Sequence, residues 1–92
     1  MPKYARILGY YVFFWSNEGR PLEPVHVHVG KSIRKNATKI WILRDGATQI
    51  ESVNQEIREK DLKRIQRLIE DNAAEIVAMW EDYFKTKAIY RD

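Results

Sequence analysis

The stretch PVHVHV alternates two kinds of side chain with a period of two residues. Val25, Val27 and Val29 alternate with His26 and His28, the two histidines of the chain. In a β-strand, side chains two residues apart lie on the same face, so the pattern predicts a strand with an aliphatic face and an imidazole face. Such a strand requires a sheet with two different faces. We expect the valines to face the core and the histidines to be displayed on the other side.

Three further segments have the composition of β-strands. Residues 4–15 are rich in Tyr, Val, Phe and Ile and are apolar at both odd and even positions, which predicts one long strand covered on both faces. Residues 37–43 predict another strand, with Ile40 and Ile42 on one face, and residues 48–53 predict a short additional one. These segments predict a small antiparallel sheet of three to four strands.

The last third of the chain carries a helical pattern. At 100° per residue, its apolar residues form one stripe, which consists of Leu62, Ile65, Ile69, Ala73, Ile76, Trp80 and Tyr83. The stripe predicts one long C-terminal helix over about residues 58–85, with a break near Asn72, or a helical hairpin, as the alternative. The expected fold class is therefore α+β, with the small antiparallel sheet packed on this helix.

The charges divide the chain into two parts of opposite sign. Residues 1–44 hold eight Lys and Arg against two acidic residues, whereas residues 45–92 hold eight against eleven. We expect a single domain over residues 1–92, β-rich and basic over 1–53 and helical and acidic over 54–87. A basic face is typical of a surface that meets phosphate or an acidic partner.

The absence of cysteine excludes disulfides and thiolate metal sites, and it fits a reducing cytoplasm. The apolar run at residues 7–15 is too short to span a bilayer as a helix, and no small-residue cleavage site follows it. These features predict a cytoplasmic protein that is not inserted in a membrane. No cofactor is expected.

The histidine pair admits three interpretations, which the sequence leaves open. Two imidazoles on one side of a strand can bind a metal, but a further ligand would have to come from Glu18, Glu23 or Asp45, or from a second subunit. As general acid and base, His26 and His28 could cleave RNA without a metal, with Lys39 stabilising the phosphorane. Alternatively, the imidazoles are partly buried polar residues of a sheet face or an interface.

One face of the predicted sheet is left uncovered, because one helix covers only one face. The candidate binding surface lies on this second face and in the basic turn after the histidine strand, and it consists of His26, His28, Lys39, Trp41, Lys31, Arg34, Lys35 and Glu18. Aromatic rings among cations are typical of protein interfaces, and they also suit stacked RNA bases.

The order of these motifs resembles a prokaryotic protein family. The matching pieces are Phe14 with Ser16-Asn17-Glu18, Pro24 with His26-Val27-His28-Val29, Lys39 with Trp41, and a helix that ends in Trp80, Tyr83 and Phe84. With these pieces the chain resembles domain-of-unknown-function family 4160, small single-domain proteins with no established activity. One departure is Arg58, where a capping Ser is common in the family. The pairing of such proteins with another small protein, in arrangements that resemble toxin–antitoxin operons, implies partner binding.

These observations predict a non-enzymatic interaction module. It would be one component of a toxin–antitoxin-like pair and would bind a small protein from a neighbouring gene, a second copy of itself, or both. The alternative is an RNA-binding protein or a metal-independent ribonuclease that uses the histidine pair. The two hypotheses differ in whether the histidine face makes contacts or performs chemistry.

Overall fold

The computed structural model describes residues 3–14, 23–34, 36–54 and 56–92. It contains one five-stranded antiparallel sheet in which each strand pairs with the next along the chain. The strands are β1 (Lys3–Ile7), β2 (Tyr10–Phe13), β3 (His26–Gly30), β4 (Thr38–Ile42) and β5 (Thr48–Ser52). Two helices follow, α1 (Glu59–Asp71) and α2 (Ala73–Phe84). The α+β class and the antiparallel sheet are confirmed, and the strand count is five instead of three to four.

The prediction of one long strand over residues 4–15 is wrong, because the chain turns back in the middle of it. Leu8 and Gly9 have positive φ angles of 54° and 83°, and Ile7 pairs with Tyr10 across this two-residue turn. Positive φ at both central residues is typical of the tight hairpin turns that match the twist of the sheet. Leucine rarely adopts this conformation, so the sequence of the apolar run does not indicate a turn at this position. The end of the predicted strand, at Trp15, lies outside the described residues.

The predicted long helix is divided at Asn72. The side-chain Nδ2 of Asn72 donates to the carbonyl oxygen of Leu68 at 2.8 Å, and the backbone of Asn72 leaves the helical region with φ −117° and ψ 19°. Asparagine side chains compete in this way with the regular backbone bonds of a helix. The break is the alternative that the sequence left open. Neither of the helices in the described part of the chain is long and apolar enough to cross a membrane.

The apolar stripe keeps its phase across the break and packs on the aliphatic face of the sheet. The stripe residues up to Trp80 are buried, whereas Tyr83 is 42% exposed and corrects the predicted end of the stripe. The sheet side of this core contains Val12, Val25, Val27, Val29, Ile40 and Ile42. The prediction that the valines face the core is confirmed.

The first turn of α1 is tied to the sheet instead of being capped by a side chain. Arg58, at the N-cap position, makes no capping hydrogen bond. The hydroxyl of the buried Tyr10 donates to the Asp61 carboxylate at 3.0 Å. This hydrogen bond lowers the pKa of Asp61, and the Arg58 guanidinium acts in the same direction. A carboxylate in the first turn is also favourable to the helix dipole. The hydrogen bond from Tyr10 on β2 thus attaches the first turn of α1 to the sheet.

Replacement of Ile65 by Ala should show how much of the stability depends on the stripe. Ile65 is 0% exposed, and the loss of a buried isoleucine side chain typically costs about 2–5 kcal/mol of unfolding free energy. Leu68→Ala, in the same helix at a side chain 39% exposed, is the control and should cost about 1 kcal/mol or less. Urea denaturation of both variants measures the difference, and equal effects would contradict this packing.

Candidate functional site

The strand register places the histidines beside aromatic and basic residues on one face of the sheet. His26 lies opposite Trp41, and His28 lies opposite both Lys39 on β4 and Phe13 on β2. Directly opposed residues of antiparallel strands point to the same face. The predicted grouping of His26, His28, Lys39 and Trp41 on the face opposite the valines is therefore present in the structure.

The expectation that these residues are displayed to solvent is wrong, since even the side chain of Lys39 is only 13% exposed. His26, His28 and Trp41 are 2%, 6% and 4% exposed. Their rings form a continuous row with Phe13, which we call the ring row. Centroids are 5.6 Å apart for Phe13 and His28, 5.0 Å for the two histidines, and 5.2 Å for His26 and Trp41. Cross-strand neighbours are close enough for large rings to fill the space between them, so the row buries itself.

Four charged side chains, which we call the charged rim, surround the Trp41 end of the ring row: Glu23, Lys39, Glu51 and Arg91. The Lys39 ammonium lies 2.6 Å from the Glu23 carboxylate and 3.5 Å from the Glu51 carboxylate. The Glu51 carboxylate also lies 3.3 Å from the Arg91 guanidinium. Lys39 Nζ is 4.3 Å and Arg91 Cζ is 5.0 Å from the centroid of the Trp41 ring. Two cations over one indole and two carboxylates beside them form an organised network.

The segment after α2, residues 86–92, brings Arg91 to this place. The backbone N–H of Val25 donates to the carbonyl oxygen of Ile89 at 2.7 Å. The backbone N–H and the guanidinium of Arg44 bond to Asp92 at 3.1 and 3.2 Å. Sequence reasoning missed Arg91 and Glu51 as site residues. No local signal could have found them, because 40 positions separate the two side chains that pair.

The surroundings of the two histidines affect which ring nitrogen of His26 carries a proton and the pKa of His28. The Nδ1 of His26 lies 2.8 Å from the carbonyl oxygen of Pro24. Since a carbonyl only accepts, this nitrogen carries the proton and donates it. Burial lowers the pKa of His28 to about 4, and the electrostatic contributions of the neighbouring His26 and Lys39 act in the same direction, against an opposing contribution from Glu23. His28 is thus neutral near pH 7, which makes it a poor general acid under physiological conditions.

Two buried polar atoms of the ring row have no hydrogen-bond partner in the part of the chain that the structure describes. They are the Nδ1 of His28 and the Nε1 of Trp41. An unsatisfied buried polar group costs about 1–3 kcal/mol. Nearly all such groups in folded proteins are paired. A ligand that formed a hydrogen bond with either of these two atoms would therefore gain binding free energy.

A metal site finds no additional support in the described residues. Within ranges 3–14, 23–34, 36–54 and 56–92, no group of three or more His, Asp and Glu side chains is placed to hold a metal ion. In His26, the Nδ1 is engaged with Pro24, and Lys39 lies directly opposite His28 on the neighbouring strand. Like charge beside a cation site opposes metal binding.

The other predicted binding residues do not join the ring row. Lys31 is exposed, and its ammonium lies 6.0 Å from the ring of Tyr10, whose hydroxyl contacts α1. Arg34, 55% exposed in its side chain, pairs with Glu56 at 2.7 Å just before α1. Both are therefore directed to the side of the sheet that carries the helices. Lys35 and Glu18 lie outside the described residues.

Comparison with known proteins identifies the family. The family described as Domain of unknown function (DUF4160) matches residues 9–81, which is most of the chain and includes β2 to β5, both histidines and nearly all of the two helices. The chain belongs to this family. No curated protein and no solved structure matches the chain significantly.

The burial of His28 predicts a loss of stability in mild acid. The unfolded chain takes up a proton at the ordinary histidine pKa of 6.5, whereas folded His28 does so at about 4. Between these values the unfolded state binds more protons, so the unfolding free energy should fall by about 2–3 kcal/mol from pH 6.5 to pH 4. Well above pH 6.5, where neither state binds a proton at this side chain, His28 contributes no pH dependence. Urea denaturation across this range measures the slope.

His28→Gln is the control for this measurement, because glutamine does not titrate. The variant should lose most of the slope between pH 6.5 and pH 4.5, even if its stability at pH 7 is lower. An unchanged slope would show that other groups, such as the carboxylates of the charged rim, dominate the acid response.

Proposed function

We propose that this protein is a non-enzymatic protein–protein interaction module, one component of a toxin–antitoxin-like pair, whose contact surface is the charged rim over the ring row. The observation that carries the proposal is the pair of cations, Lys39 and Arg91, that lie over the buried Trp41 ring. Trp and Arg are the residue types that contribute most to binding at protein interfaces. The toxin–antitoxin-like setting rests on the pairing of such proteins with a second small protein.

Rigidity supports a role in recognition. The four rings of the row are nine-tenths or more buried and contact each other across β2, β3 and β4. The ring row beneath the rim is thus already ordered and loses little conformational entropy when a partner binds above it. Glu23, Glu51 and Arg91 are between 42% and 46% exposed in their side chains, so a partner can reach them without unfolding the sheet.

The state of the histidines favours contact over chemistry. A ribonuclease needs one imidazole that donates and one that accepts a proton near neutral pH. The pKa of His28, about 4, lies far below that range. RNA binding by stacking requires exposed aromatic faces, and Phe13 and Trp41 are 0% and 4% exposed. These two buried rings therefore do not support RNA binding, whereas the positive charge of the β-rich part favours the RNA-directed alternative.

The test is co-purification of the protein encoded by the neighbouring gene with variants of the charged rim. Lys39→Ala removes the ammonium that joins Glu23, Glu51 and Trp41, and it should reduce the amount of recovered partner about tenfold, as expected for a central charged contact. Lys60→Ala, at an exposed position of α1, removes the same charge and should leave recovery unchanged. Trp41→Ala is unsuitable, because the loss of a buried tryptophan destabilises the fold itself.

Equal recovery with Lys39→Ala and Lys60→Ala would contradict the proposed surface. Cleavage of RNA by the purified protein, lost in His28→Gln, would instead establish the enzymatic alternative.

A further inference from the structure

Residues 86–92 lie beside the sheet and occupy a site with several recognition elements. Val25 offers a backbone N–H, which the Ile89 carbonyl accepts. Trp41 and Glu51 receive the guanidinium of Arg91, and the Arg44 guanidinium bonds to Asp92 while it lies 5.0 Å from the ring centroid of Tyr90. Extended peptides are recognised by elements of this kind. A backbone N–H donates to a carbonyl of the peptide, an indole and a carboxylate bind a cationic side chain, and an arginine donates to an oxygen acceptor.

The segment is held partly by contacts that are individually weak. The ion pair of Arg91 with Glu51 joins side chains 46% and 42% exposed, and exposed pairs of this kind contribute about 0–1 kcal/mol. Ile89 is 48% exposed. Ala88 and Tyr90 are half-buried against the core, and residues 86–92 have no helical or strand structure. Segments with such contacts open more easily than the sheet and helices beneath them.

The occupied site still has unused binding capacity. The Nε1 of Trp41, on the ring that Arg91 contacts, is buried and has no acceptor among the described residues. A cavity of about 520 Å³ lies beside the segment, and Arg44, Val77, Glu81 and Tyr90 are among its lining residues. A second occupant with the same backbone and cation contacts could additionally satisfy the indole N–H or fill this cavity. Such an occupant would bind more tightly than the segment does.

We propose that the site formed by Val25, Trp41, Glu51 and Arg44 binds an extended segment of a partner protein that carries an arginine or lysine over Trp41, and that residues 86–92 occupy the site until this partner displaces them. This inference rests on the proposed function as an interaction module, and it specifies the contact as a peptide exchange. The cation is required because Glu51 and the Trp41 face both favour positive charge.

The test uses a labelled synthetic peptide with the sequence of residues 86–92 and the full chain. Arg91→Ala in the protein weakens its own occupant, so this variant should bind the peptide about tenfold more tightly than the unaltered protein, as expected for the loss of one cation–π contact and one ion pair. A peptide with Ala in place of its arginine should bind about tenfold more weakly. Fluorescence anisotropy measures both affinities, and circular dichroism verifies the fold.

Two further variants make the result specific. Asp92→Ala removes the carboxylate that accepts from the backbone N–H of Arg44, but it keeps the backbone oxygen that the Arg44 guanidinium contacts. It should therefore increase peptide binding less than Arg91→Ala does, and it replaces Arg91→Ala if that variant is unfolded. Arg67→Ala, at an exposed position of α1, removes the same charge elsewhere and should bind the peptide like the unaltered protein. The proposal is overturned if the peptide binds none of these proteins at millimolar concentration, or binds all of them equally. The measurement needs no partner, so its failure would leave the co-purification result intact.

Discussion

The burial of both faces of β3, in the middle of the five-stranded sheet, is the constraint on which the rest of the structure depends. On one face, its valines and those of its neighbours receive the helices. On the other face, His28 lies where charge is costly, so it remains neutral and its pKa falls to about 4. The contacts with Phe13 and Trp41 compensate for this burial by packing ring against ring. A central strand with histidines on it is stable only because neighbouring strands supply these rings.

This arrangement changes what the histidine pair can do. A catalytic pair needs access to substrate and a proton affinity near the working pH, whereas these histidines fill the interior of a ring row. The ring of His26 packs against that of Trp41, which Lys39 and Arg91 contact in turn. The proposed contact surface is therefore the charged rim, which joins parts of the chain that are far apart in sequence.

Several features could be predicted because they depend on local periodicity. The valine face follows from the alternation in β3, and the helical stripe from Leu62 to Trp80 follows from its spacing. The hairpin turn at Leu8 and Gly9 could not be predicted, since a leucine with positive φ gives no turn signal. The break at Asn72 could be anticipated only as an alternative, because the stripe keeps its phase there.

The sequence by itself determined which residues share a face, because the side-chain period of a strand or helix is a property of the local backbone. This was sufficient to place His26, His28, Lys39 and Trp41 together and to put the valines in the core. Only the tertiary structure decided which of these residues reach solvent, since exposure depends on what packs above them. Cross-strand rings cover the histidines, and Arg91 lies over the Trp41 ring, so the PVHVHV stretch lies beneath the surface of the sheet instead of forming it.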